Sequence, residues 1–240
     1  MTRTLLAVTG AVTALAVAAS PALAVQSKQS LTASISPVKH AKLVKASTKR
    51  PANVALNVHP QLALNKQDTP FALKRSVIKL DRNISYGGSK LPGCSATQVV
   101  LGTCDAKAKV GGGTALALAA GLNEPLTLTA YNGDDGRTLL IHVEGTRPVP
   151  MNDVLVATLS KSSGRYGSKM TIDVPQSLQQ PAPGVLSTLL DFNLTVKGGN
   201  ASSPLIGVSG CPRGGLNVGG AFTYTDGTTQ DTATAAVCKR

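Results

Sequence analysis

The chain has 240 residues and a formal net charge of +12, with 24 glycines, few aromatic residues and no tryptophan. Scarce aromatic rings weigh against a carbohydrate-binding platform or a base-stacking surface, since both depend on exposed rings. Abundant glycine beside Thr, Val, Ala and Leu is typical of many short strands joined by turns.

Residues 1–24 have the pattern of a secretory signal peptide. Arg3 supplies a positive start, an uncharged apolar run follows, and Ala22 and Ala24 are the small residues that a signal peptidase accepts. A retained membrane anchor is the alternative, but the apolar run is short and alanine-rich and the cleavage signal is good. We therefore expect a secreted, extracytoplasmic product of 216 residues with no transmembrane segment after processing.

Residues 25–50 form a basic N-terminal segment, part of which we expect to join the fold. The segment holds six basic residues and no acid, and its basic cluster comprises Lys39, Lys42, Lys45, Lys49 and Arg50. Such a segment is either a solvated stretch or a means of electrostatic adhesion to anionic components of a cell envelope. Nucleic acid is not an expected partner, because the compartment is wrong and no binding motif is present.

Strand signals recur at short intervals from residue 51 onward, which predicts one β-sandwich domain over residues 51–240. Alternating apolar residues mark strands near residues 54–58, 77–80, 126–131, 139–143, 154–159, 170–174 and 189–196. The pairs Asn132-Gly133 and Asp226-Gly227 lie between apolar runs and predict hairpins. The run from Thr114 to Ala120 fits either a helix by propensity or a buried strand.

The four cysteines predict two disulfides. An even number of cysteines in an exported chain favours disulfides, and sequence proximity favours Cys94–Cys104 and Cys211–Cys238 among the possible pairings. Zinc is the alternative, but its ligand pairs usually lie about two to four residues apart, closer than either of these pairs. With many strands, regular turns and no long amphipathic helix, the expected fold is all-β, a single sandwich with two disulfides.

No residue carries a complete catalytic motif, so we assign no catalytic site. Ser209 lies in a Gly-Val-Ser-Gly run that resembles a serine-protease nucleophile loop, but the expected aspartate before the serine is absent. Ser76 and Lys79 have the Ser-x-x-Lys spacing of penicillin-recognising enzymes, without the companion motifs. A strand with one exposed lysine is the better interpretation of that spacing.

No cofactor or metal site is predicted either. The Gly111–Gly113 run lacks the lysine of a phosphate loop, and a bulge or a close approach of backbones explains it better. Asp134 and Asp135, together with Asn132, offer oxygen ligands for calcium. Too few carboxylates converge there, and a plain hairpin turn accounts for these residues.

Several segments together resemble a known group of proteins. They are Leu91–Cys94, Cys104, the Ala-Lys-Val-Gly-x-Gly segment at 108–113, the Tyr-Asn-Gly at 131–133 and the closing stretch 224–238. The chain resembles secreted actinobacterial proteins that pair a proline-flanked cysteine, a second cysteine and an Ala-Lys-Val-Gly-x-Gly segment. The resemblance covers residues 31–238 and implies export, disulfides and a place for residues 31–50 in the fold, but it implies no reaction.

These observations predict a secreted, non-catalytic binding or cell-envelope-associated protein with an unidentified ligand. One alternative is an extracellular hydrolase with an unfamiliar site, for which Ser209 is the nucleophile to probe. The other alternative is a purely structural surface protein.

Overall fold

A computed structural model describes residues 27–38, 43–65 and 71–238. The predicted signal peptide and two residues of the basic cluster, Lys39 and Lys42, lie outside these described residues. The strands are β1 (Lys28–Pro37), β2 (Ala52–Ala63), β3 (Leu73–Asp81), β4 (Ile84–Tyr86), β5 (Lys109–Ala119), β6 (Leu122–Asn132), β7 (Thr138–Gly145), β8 (Met151–Lys161), β9 (Tyr166–Asp173), β10 (Ser187–Val196), β11 (Ile206–Val208), β12 (Leu216–Tyr224) and β13 (Thr229–Cys238). The helices are α1 (Ala96–Val100) and α2 (Gln176–Gln179), with short 3-10 turns at Leu43–Lys45, Gly88–Lys90 and Ala106–Ala108.

Eleven strands form a closed barrel. Their order is β1-β13-β12-β3-β9-β8-β7-β6-β5-β10-β2, and β2 returns to pair with β1. Neighbouring barrel strands are antiparallel except β1 and β13, which run parallel. Strands that otherwise alternate in direction close into a ring of odd number only through one such parallel pair. The predicted all-β class is therefore confirmed, whereas the predicted sandwich is wrong.

The sandwich prediction was wrong because the local sequence pattern is the same in both architectures. Each strand alternates between an apolar and a polar face whether its sheet packs on a second sheet or closes on itself. The pairing that decides between them joins Ser34 to Val237 and Ile35 to Cys238, at opposite ends of the described chain. Hairpin signals report neighbours in sequence and carry no information about this pairing.

The closure between β1 and β13 is held in two ways, and we call it the seam. At one end the two strands share ladder positions at Ile35 and Cys238. At the other end the Gln29 backbone N–H donates to Gln230 Oε1 at 2.6 Å, and Gln230 Nε2 donates to the Ser27 carbonyl at 2.8 Å. Where the backbone ladder ends, the Gln230 side-chain amide therefore links the two strands through hydrogen bonds.

The two ends of the barrel differ, and we name them by β1: the lower end is where β1 begins and the upper end is where it ends. At the upper end β11 pairs with the first residues of β2 and with β4. Leu205 and Val208 there are fully buried in the main core. The upper end is therefore covered by β4 and β11 and filled by buried apolar side chains.

The glycine run at Gly111–Gly113 lies in β5, where β5 meets β10. A Cβ atom on Gly111 would collide with the Thr195 carbonyl oxygen, and one on Gly113 with the Asn193 carbonyl oxygen. The ladder with β6 also shifts register between Lys109 and Gly111, as at a bulge. Close approach of backbones therefore explains the run, and the residues that follow it form a strand rather than a helix.

Both disulfides form with the predicted partners. Cys94 and Cys104 join the ends of the segment that contains α1, with their Cα atoms 5.7 Å apart. Cys211 and Cys238 have Cα atoms 6.4 Å apart and tie the last residue of β13 to the connection before β12. Within the described ranges no helix is long and apolar enough to cross a membrane.

Loss of the two disulfides is expected to have unequal effects. Replacing Cys211 and Cys238 by serine opens a 27-residue link and is expected to cost about 3.6 kcal/mol of unfolding free energy by chain entropy. The same change at Cys94 and Cys104 opens a 10-residue link and costs about 2.7 kcal/mol. Equilibrium denaturation of the mature chain measures both. A larger loss for the Cys94–Cys104 variant would contradict this ranking.

Candidate ligand-binding site

The lower half of the barrel contains an apolar cavity of about 110 Å³. Ten of the eleven barrel strands contribute to its 23 lining residues, and none of these residues is charged. Most are aliphatic, with Phe192, Phe222 and Tyr224 as the aromatic members. A wall of this kind excludes ions and offers dispersion contacts to an apolar molecule.

Small side chains on β5 leave the space for this cavity. Ala115 and Ala117 point inward and line it, whereas the inward positions opposite them on β6 are the larger Leu126 and Glu124. Ala115 lies opposite Leu126 on one side and opposite Phe192 of β10 on the other. One side of the barrel wall is therefore recessed, and the facing side chains do not reach across to fill it.

The connection between β9 and β10, residues 174–186, crosses the lower end, and we call it the lid. β9 and β10 are five neighbours apart in one direction around the barrel and six in the other. A chain that joins them at the lower end must pass over the opening. The lid carries α2, which contacts both β8 and β10, and its Leu178 side chain lines the cavity.

Few hydrogen bonds hold the lid in place. The Ser177 hydroxyl donates to the Asp153 carboxylate of β8, and Gln179 Nε2 donates to the Val174 carbonyl at 2.6 Å within the lid itself. Beyond the lid, the Thr188 hydroxyl of β10 donates to the Phe71 carbonyl at 2.6 Å. The Val174 N–H, at the start of the lid, also donates to the Lys74 carbonyl of β3 at 3.0 Å. The lid is thus attached to the wall through one side-chain hydrogen bond, one backbone hydrogen bond and the packing of Leu178.

Four polar residues belong to the cavity wall, and they fall into two classes. The Tyr224 hydroxyl donates to Gln29 Oε1 at 2.6 Å, so these two polar groups are hydrogen-bonded to each other. Burial first, and the nearby Asp226 second, raise the pKa of Tyr224, so its hydroxyl stays protonated. The hydroxyls of Ser76 and Ser187 have no hydrogen-bond partner in the described part of the chain, although both residues are more than nine-tenths buried.

Glu124 is a buried carboxyl group beside the cavity. It lies on the inward face of β6, opposite Ala117 and two residues from Leu126, and its exposed fraction is 0%. Among the described residues neither carboxyl oxygen has a hydrogen-bond partner, and the missing side chain of Gly145 leaves room for Oε1. Burial among these uncharged neighbours raises the pKa of Glu124, because the carboxylate form loses its hydration.

The serine motifs do not assemble into catalytic groups. Ser76 points into the barrel, and Lys79, three residues along the same strand, lies on the opposite face of the sheet. The Ser209 hydroxyl donates to Asn83, at 3.4 Å to its carbonyl oxygen and 3.3 Å to Oδ1. Of the two described histidines, one pairs with Asp191 and the other with Asn152, so neither is positioned to activate Ser209.

The acidic residues after β6 form a turn. Asp135 Oδ1 accepts hydrogen bonds of 2.8 Å from the Arg137 N–H and from the N–H and hydroxyl of Thr138. Burial tends to raise the pKa of Asp135, but these hydrogen bonds and the Arg137 charge hold it below its usual value. The Asn132 side chain turns away, accepting from the Tyr86 hydroxyl and donating to the Gly88 carbonyl. The oxygens therefore do not converge on a calcium position.

The cavity was not predicted, although the sequence holds two signals for it. In the run 114–120, alanines alternate with leucines, so a strand there puts small residues on one face. Glu124 falls in the same alternation as Leu126 and Leu128, which places it on the inward face. Neither signal shows that the barrel closes around these positions.

Comparison of this chain with models of protein families, with curated proteins and with solved structures finds no match. The site must therefore be interpreted from its own geometry and chemistry.

Glu124→Gln is expected to change how stability depends on pH. A raised pKa in the folded state makes the protein most stable below the ordinary carboxyl value of about 4.5 and less stable as pH rises above it. The variant removes this titration, so we expect a gain on the order of 1 kcal/mol at pH 7 and little change at pH 4. Chemical denaturation at both pH values measures it.

The matched control is Glu144→Gln, a change of the same kind at an exposed carboxyl on β7. It is expected to leave stability within about 0.5 kcal/mol at either pH. A stability profile of Glu124→Gln that runs parallel to that of the native chain from pH 4 to pH 7 would show that Glu124 titrates normally.

Proposed function

We propose that this protein is a non-catalytic extracytoplasmic binding protein that holds a small apolar molecule inside its barrel. The observation that carries the proposal is the uncharged cavity in the lower half of the barrel, beneath the lid. Cavities lined by aliphatic and aromatic side chains take up apolar ligands because burial of apolar surface is favourable there. The two disulfides are compatible with an oxidising extracellular setting.

The size of the cavity limits the size of the ligand. Its volume of about 110 Å³ is near that of the apolar protein cavity of about 150 Å³ that binds benzene. A single six-membered ring or a short alkyl chain therefore matches the space. Larger ligands require the lid to move outward.

A binding role suits the chemistry of the wall better than a hydrolytic one. Ser76 is a buried serine of the wall, and the lining holds no histidine, carboxylate or lysine to activate it. Ser209 lies at the upper end, away from the cavity, and donates to Asn83. Glu124 is sealed beside the cavity rather than exposed in it.

Toluene is a suitable probe for the cavity, and Ala115→Leu is the variant that fills it. We expect the mature protein to bind one toluene saturably and Ala115→Leu to bind it at least tenfold more weakly, because leucine occupies the recess on β5. Isothermal titration calorimetry measures both affinities.

The control is Ala233→Leu, the same change at an exposed position of β13. It is expected to bind toluene as the native chain does, and thermal unfolding of both variants verifies that each is folded. Absence of saturable toluene binding in the native chain, or equal loss in the two variants, would refute the cavity as a binding site.

A second proposal concerns the basic cluster at the upper end. Lys45, Lys49 and Arg50 are exposed in the connection between β1 and β2, and within the described chain none of them forms an ion pair. We propose that this cluster, with Lys39 and Lys42, attaches the protein to anionic components of a cell envelope. The cavity and its lid are at the opposite end, so such attachment leaves them facing the medium.

Vesicles of phosphatidylglycerol test this attachment by co-sedimentation. Replacing Lys45, Lys49 and Arg50 by alanine is expected to lower binding about 100-fold at low salt, since each of the three basic residues near such a surface is worth about 1 kcal/mol. Binding of the native chain is expected to fall as salt rises. The control replaces Lys28, Lys74 and Arg147, which are exposed at the lower end. An equal loss in both triple variants would mean that net charge alone governs binding.

A further inference from the structure

Ser76 carries one of two hydroxyls in the cavity wall, with Ser187, that have no hydrogen-bond partner among the described residues. Ser76 is 6% exposed and faces inward from the middle of β3. Its cross-strand neighbours are Phe222 of β12 and Ile172 of β9, and both of these also line the cavity. No described residue accepts from or donates to its hydroxyl.

An enclosed hydroxyl without a partner costs roughly 1–3 kcal/mol relative to one that is hydrogen-bonded. An apolar residue such as valine or alanine would avoid that cost at this position. A ligand with a complementary polar atom recovers it, because a hydroxyl both donates and accepts. Ser76 is thus an unpartnered polar group in the wall of a mainly apolar binding space.

The surroundings also set the charge of the ligand. None of the lining residues is charged, and the buried Glu124 beside the cavity is sealed from it, and burial raises the pKa of its carboxyl group. An ammonium or carboxylate drawn into this space would lose its hydration without gaining a counter-ion. Charged head groups are therefore disfavoured inside the cavity.

We infer that the cavity selects an uncharged ligand with an apolar body and one small hydrogen-bonding group, such as a hydroxyl or carbonyl, that pairs with Ser76. Ser187 is the other unpartnered hydroxyl of the wall, but it lies at the first position of β10, at the lower rim. Ser76 lies deeper and between apolar neighbours, so a hydrogen bond to it is better shielded from water. This inference rests on the proposed binding function and specifies its ligand class.

Three ligands of nearly equal shape test the inference: ethylbenzene, benzyl alcohol and benzylamine. They place a methyl, a hydroxyl and an ammonium group at the same position of the molecule at pH 7. We expect benzyl alcohol to bind the native chain more tightly than its partition between water and an apolar solvent predicts, and benzylamine not to bind measurably. Calorimetric titration of the mature protein gives all three affinities.

The variant is Ser76→Ala, which removes the hydroxyl and little else. It is expected to weaken benzyl alcohol binding about fivefold, as for loss of one neutral hydrogen bond, and to leave ethylbenzene binding unchanged or slightly tighter. The control is Ser160→Ala, at a serine on the outer face of β8, which is expected to change neither affinity.

The outcomes separate this inference from the proposed function. If ethylbenzene binds but Ser76→Ala weakens both uncharged ligands equally, the cavity is a binding site and Ser76 does not select its ligand. Benzylamine binding as tight as that of benzyl alcohol would likewise overturn the selection for uncharged ligands. If neither uncharged ligand binds the native chain, the proposed function itself fails.

Discussion

The parallel pairing of β1 with β13 is the constraint on which the rest of the structure depends. Without it the eleven strands would form an open sheet with two unpaired edges, and each edge would expose a row of backbone N–H and C=O groups. The pairing also gives the sheet an inside, because residues that alternate inward then face one another across a closed space. The backbone ladder at Ile35 holds one end of this seam, and the hydrogen bonds of the Gln230 side-chain amide to Gln29 and Ser27 hold the other.

The closed interior is filled unevenly, and this unevenness produces the candidate site. In the upper half, large buried side chains such as Leu216 and Val218 occupy the space, and Leu205 and Val208 cover it. In the lower half β5 contributes only alanines to the wall, so the same barrel diameter leaves a void. Dispersion contacts are lost across that void, and a ligand of suitable shape restores them. The cavity and the barrel that surrounds it therefore both follow from the pairing of β1 with β13.

Sequence patterns predicted much of the local structure and little of what defines the site. The strands at 126–131 and 139–143, the turn after Asn132 and both disulfides follow from alternation, turn chemistry and cysteine spacing. The barrel did not follow, because Ile35 and Cys238 meet only once every intervening strand is in place. The Ser-x-x-Lys spacing of Ser76 and Lys79 brings two residues together on a helix, whereas in a strand that spacing puts them on opposite faces. The inward direction of the Ser76 side chain indicates a binding role only because a cavity lies on that side of β3.

The two ends of the barrel are held by interactions of different strength, which determines where a ligand enters. The upper end is covered by β4 and β11 through backbone pairing, and the Cys211–Cys238 disulfide crosslinks the chain there. The lid at the lower end is attached through the Ser177–Asp153 hydrogen bond to β8 and the Val174–Lys74 backbone hydrogen bond to β3, and its Leu178 side chain packs into the cavity. Breaking one hydrogen bond to a carboxylate costs about 1.5–3 kcal/mol, less than separating paired strands. Local opening is therefore easiest at the lid, directly over the cavity and opposite the basic cluster.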